Sequence, residues 1–133
     1  MACGTALAGL LLLPAAALEH RHQNVPKQVA LLIEPGRLLA SNVRLSRIDV
    51  LALEEGERLV RQIEADAALA AVTSWRIVAY GPAVGWRELP LLPDEQVEEM
   101  RAEDYAVFVT TDRRYLNFSA KTGLWAERLR TSS

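Results

Sequence analysis

The chain predicts an all-β fold: about three repeats of a small antiparallel β-meander, following an apolar N-terminal segment. Three observations carry this. Arg37, Arg76 and Arg114 recur at spacings of 39 and 38 residues. Each is followed by a short apolar run and preceded by another, with only a few turn residues between, which is the pattern of a hairpin. A chain of 133 residues, half of them hydrophobic, holds one packed domain and little more.

In chain order, residues 5–18 (TALAGLLLLPAAAL) form an uncharged apolar run. As a helix it would be about 21 Å long, short of the roughly 30 Å hydrocarbon core, and Pro14 interrupts it. It fits the apolar region of a secretory signal, with Ala15, Ala16 and Ala17 as a small-residue cleavage site, although no Lys or Arg precedes it. Residues 1–18 are therefore expected to be a signal-like or anchoring segment, with membrane contact through residues 5–18. The protein is then exported or membrane-associated on the periplasmic side, or cytoplasmic if residues 1–18 are not a signal. Residues 19–27 read as a linker. His20 and His22 lie there without a third ligand at a metal-binding spacing, so no metal site is expected. Residues 28–133 form the single β-repeat domain.

Within that domain the first apolar stretches are residues 29–33, 67–72 and 105–109, and the links are Glu34-Pro35-Gly36, Thr73-Ser74-Trp75 and Thr111-Asp112-Arg113. The second runs are Leu38-Leu39-Ala40, Ile77-Val78-Ala79-Tyr80 and Tyr115-Leu116-Asn117-Phe118. The match between the second and third units extends outward. Glu57 corresponds to Glu95, Leu59 to Val97, Asp66 to Asp104 and Gly85 to Gly123 at a spacing of 38, and Trp86 to Trp125 at 39, a one-residue slip inside a turn.

Residues 53–71 are rich in Ala, Glu, Leu and Arg and have high helix propensity. Their register equivalent near residues 95–104 is short and flanked by Pro90 and Pro93, so equivalence assigns both to outer strands. Each unit then holds about four strands: an outer charged one, two central apolar ones and a last one at the Trp-x-Glu. The phrase YAVFVTTDRRYLNFSAKTGLW, residues 105–125, resembles the blades of β-propellers in type. That resemblance covers roughly residues 28–129 and implies four-stranded antiparallel blades, although three units fall below the usual 4–8 of a closed ring. A trefoil-like barrel, pairing with another copy or a partner that covers the open ends, a curved meander packed on a larger assembly and a bacterial pleckstrin-homology-like domain are the alternatives.

For chemistry, the acidic residues Glu54, Glu55, Glu57, Asp94, Glu95, Glu98 and Glu99 read as a solvated face. No nucleophile elbow, Cys–His arrangement or phosphate-cradling loop occurs, so neither a catalytic residue nor a cofactor is expected. The single cysteine, Cys3, allows no intrachain disulfide framework. A net charge of −2 with scattered basic residues offers no nucleic-acid footprint. Arg76 and Arg114 recur beside Thr73 and Thr111, which points to maintenance of the repeat by bonding to turn carbonyls or to acids of the next unit; an anion clamp is the functional alternative. Trp86 and Trp125 are expected to fill one packing slot between sheets. Trp75 stands where the other units carry Gly36 and Arg113, so packing does not demand it. Trp75, Arg76, Arg113 and Arg114 are accordingly the candidate partner contacts. The expected function is a non-catalytic accessory or scaffolding subunit of a larger, membrane-associated complex, with a protein partner or self-association. A β-repeat ligand-binding module of the periplasm or cell envelope is the alternative.

Overall fold

The computed structural model describes residues 25–131, all of whose regular structure is β. Residues 1–24, which include the signal-like run and the two histidines, lie outside the described residues.

Eleven strands follow in order: β1 (Val29–Glu34), β2 (Arg37–Asn42), β3 (Arg47–Ala52), β4 (Leu59–Glu64), β5 (Leu69–Thr73), β6 (Arg76–Gly81), β7 (Gly85–Pro90), β8 (Val97–Glu103), β9 (Ala106–Thr111), β10 (Arg114–Ser119) and β11 (Leu124–Leu129). They form three antiparallel sheets: sheet I (β1-β2-β3), sheet II (β4-β5-β6-β7) and sheet III (β8-β9-β10-β11). Every pairing joins consecutive strands, as short hairpin links require. Residues 59–64, where propensity and repeat register conflict, are a strand. The first unit departs from the expected four strands, with three among the described residues.

Sheet II lies in the middle, its β5 buried throughout and its β6 nearly so. This explains the alanine content that mimics a helix. A strand packed on both faces needs small side chains if two neighbouring sheets are to approach it. Ala70 and Ala79 supply them on one face and Ala71 on the other. Tertiary packing overrides propensity here. One core, between sheets II and III, joins Ala70, Val72, Ile77 and Ala79 to Val107, Val109, Leu116 and Phe118. Two smaller clusters, between sheets I and II, join Val29, Leu38 and Ala40 to Leu69, Ala71, Val78 and Tyr80. The strands thus build three separate sheets packed face on face, and no pairing between sheets closes a barrel among the described residues.

The repeat is obeyed in detail. A bulge interrupts β4 between Leu59 and Arg61, and its equivalent interrupts β8 between Val97 and Glu99. Gly85 and Gly123 both hold left-handed backbone, with φ of 77° and 73°, which glycine adopts without a Cβ penalty. The slip falls inside the last hairpin of each unit: Gly81 faces Gly85 across three residues, whereas Ser119 faces Leu124 across four. Trp86 packs edge-on to Tyr80 and Trp125 on Phe118, both with ring centroids 5.2 Å apart. The exposed edge of sheet I is partly blunted, because the Leu31 N–H donates to the Glu64 carboxylate, which also holds Lys27.

Candidate functional site

Two copies of one polar clasp join the sheets. In the first, the Arg76 guanidinium grips the Glu57 carboxylate with Nε at 2.8 Å and Nη2 at 3.0 Å, and donates through Nη1 to Glu88 at 2.7 Å. Nη2 also donates to the Ala52 carbonyl at the end of sheet I. The Thr73 hydroxyl donates to Glu57 at 2.5 Å and accepts the N–H groups of Trp75 and Arg76, which folds the turn. In the second, Arg114 grips Glu95 and reaches Glu127, its Nη2 donates to the Pro90 carbonyl at the end of sheet II, and Thr111 repeats the part of Thr73. A planar fork of five donors can serve two carboxylates and a carbonyl at once, which a lysine cannot. Each arginine pairs with acids of its own unit, not the next, and crosses to the preceding unit through a backbone carbonyl.

The Glu57 and Glu95 side chains have no exposed surface. Burial pushes their pKa values up, but the hydrogen bonds from the arginine, the threonine and one backbone N–H outweigh it and hold each near 2. The same contacts push both arginines above their usual range. All four groups stay ionised through neutral pH, so the clasps have fixed charges and no proton to exchange. They suit structure better than acid–base work.

Of the four candidate contacts, the structure thus places Arg76 and Arg114 inside the clasps, where a partner would have to break a buried fork to reach them. Trp75 and Arg113 occupy equivalent hairpin tips. Trp75 is 45% exposed and lies over Gly56, whose added Cβ would stand 3.7 Å from the indole. Arg113 is exposed, and its side chain makes no hydrogen bond among the described residues. The acidic residues need a correction. Glu54, Glu55, Asp94, Glu98 and Glu99 are exposed as expected, but Glu57 and Glu95 are buried. Their shared register with the arginines was the signal for a pair. It could not show that a turn and a bulge fold them inward.

Sequence reasoning also passed over the two outer faces of the stack. On sheet III, Phe108, Thr110, Tyr115 and Asn117 point outward beside Arg101 and Arg128, around a shallow cleft of about 350 Å³. Arg101 lies over Phe108 at 5.0 Å and Arg130 over Tyr115 at 5.4 Å. The outer face of sheet I carries Leu32, Leu39 and Val50 in one cross-strand row and Ala30, Ser41 and Ile48 in the next. Leu32, Ile48 and Val50 are 47%, 56% and 52% exposed. Alternation in β1, β2 and β3 was the available signal for this face, but the last of these strands was not assigned.

Among the described residues no cluster of three His, Cys, Asp or Glu side chains could hold a metal ion. No helix among them is long and apolar enough to cross a membrane. No protein-family model and no curated protein matches the chain.

Proposed function

We propose that the chain is a non-catalytic scaffolding module, an accessory subunit that docks a protein partner through the outer face of sheet I. One observation supports this above others. Positions equivalent to Leu32 and Leu39 are Ala71 and Val78 in sheet II, and Val109 and Leu116 in sheet III, all buried under a neighbouring sheet. Sheet I carries residues of the same character with nothing packed on them among the described residues. A contiguous exposed apolar patch of this kind marks an interaction surface.

We read the units as propeller-blade-like, on the strength of their antiparallel meanders, four-stranded in sheets II and III, and their face-to-face packing, in an open stack. Residues 5–18 would anchor the module at a membrane or direct its export. The test is the mass of the native species from its own cells after gentle detergent extraction. The expected result is a larger assembly from which Leu39→Glu is released as a free, folded chain. A wild-type chain that runs alone overturns the proposal.

A second reading, a ligand-binding module, rests on the exposed pair of hairpin tips. It predicts ligand-dependent quenching of tryptophan fluorescence that Trp75→Ala abolishes. Unchanged emission across a panel of envelope glycans and peptides would count against it.

A further inference from the structure

We infer that the occupant of the sheet I outer face is a second copy of this chain, docked face to face about a twofold axis; this deepens the docking function proposed above and rests on it. The argument starts from the two ends of the stack. In sheet II the face turned to sheet III carries Ala70, Val72, Ile77 and Ala79. The same positions in sheet III, on whose outer face no sheet packs among the described residues, are Phe108, Thr110, Tyr115 and Asn117, flanked by Arg101 and Arg128. That face is written as a solvated cap, polar and charged where its equivalent is apolar, as an outer face of a repeat stack requires.

The opposite end is not capped in this way. Its row of Leu32, Leu39 and Val50 and its row of Ala30, Ser41 and Ile48 are apolar apart from one hydroxyl. A second copy offers two end faces. Head-to-tail stacking would bury the guanidiniums of Arg101 and Arg128 against leucine and valine, which desolvates charge without a partner. Face-to-face stacking buries only apolar side chains and the Ser41 hydroxyl.

The relief of the face is also self-complementary. A twofold axis in the interface, running across the strands, lays each strand over its own twin and the first row over the second. Leu32 then meets Ala30 of the other copy and Leu39 meets Ser41, large on small in β1 and β2, while in β3 Val50 meets Ile48 as an apolar pair. The axis repeats each contact on the other side, as an isologous interface must. The Glu34–Arg37 ion pair fences one end of the patch. Three strands of six residues make a face of only about 14 by 20 Å, smaller than a standard interface, so the pair dissociates on dilution.

Sedimentation of the purified full chain over a range of concentrations tests this, with circular dichroism verifying that each variant is folded. The expected result is a mass that rises toward two chains, falls by half in Leu39→Glu and is unchanged in Asn117→Glu on the other end. A mass lost in Asn117→Glu as well as in Leu39→Glu would mean head-to-tail stacking, and one lost in Asn117→Glu alone would mean pairing through sheet III; either overturns the inference. A single-chain mass at every concentration would overturn it too. In that case, if the chain from its own cells still runs in a larger assembly that Leu39→Glu releases, the docking function survives with a different protein. If it runs alone there as well, both fail.

Discussion

Arg114 and Glu95 meet through a two-point fork, Nη2 to Oε1 at 2.6 Å and Nε to Oε2 at 2.8 Å, with both side chains buried. Removing one partner of such a pair leaves an uncompensated buried charge. We predict that Arg114→Ala lowers unfolding stability by about 3–5 kcal/mol, and that Arg114→Lys recovers only part of the loss because an ammonium cannot make the fork. Urea midpoints decide the matter. A loss below 1 kcal/mol for Arg114→Ala would show that the clasp holds nothing together.

The same pairs set an acid limb. Glu57 and Glu95 fall from an ordinary 4.5 to about 2 on folding. The unfolded chain therefore binds more protons between those values, and stability rises with pH through that window. The contribution is fully present above about pH 4.5 and is lost as pH falls toward 2. At about 1.4 kcal/mol per pKa unit it is on the order of 3 kcal/mol for each carboxylate. Denaturation followed between pH 2 and 6 should show the limb, and Glu57→Gln with Glu95→Gln should flatten it. An unchanged slope in the double variant would contradict the assignment.

Gly81 ends β6 against sheet III. A Cβ there would stand 2.6 Å from the Ala120 Cβ and 2.9 Å from its carbonyl oxygen. The backbone of one sheet thus presses on the other, and Gly81→Ala has to separate them. The expected cost is about 1–3 kcal/mol. Adding Ala120→Gly removes only the Cβ contact, so the double variant should recover part of the cost and no more. Full recovery would mean that the backbone contact does not matter.

Trp86 and Trp125 are equivalent in sequence but not in bonding. The Trp86 indole N–H donates to the Asp49 carbonyl of sheet I at 3.1 Å, whereas the Trp125 N–H is buried without a partner among the described residues. Replacement by phenylalanine removes similar apolar area at both sites. Trp86→Phe should cost about 1 kcal/mol more than Trp125→Phe, because only the first breaks a hydrogen bond and leaves a carbonyl behind. Thermal or urea unfolding of the two variants side by side gives the difference, and equal losses would refute it.

The repeat, and with it most of the fold, is legible in the chain alone. Arginines at a fixed spacing, turn residues between apolar runs and paired tryptophans are local features, and local chemistry is enough to specify a hairpin. The strand identity of residues 59–64 followed only because a repeat must share its structure. Composition over residues 53–71 pointed to a helix, since propensity does not register that the alanines of β5 are buried on two faces. Charge and exposure, by contrast, depended on packing. Glu57 and Glu98 look alike in the chain, yet one lies inside a clasp and the other faces water, because a turn and a bulge set which way each side chain points. Arg76 and Arg113 likewise differ by one step around a hairpin, and that step separates a buried fork from an exposed guanidinium. The outer faces follow the same logic. Alternation writes an apolar face on every strand, but which faces are covered depends on how the sheets stack, and stacking is a relation between residues far apart in sequence.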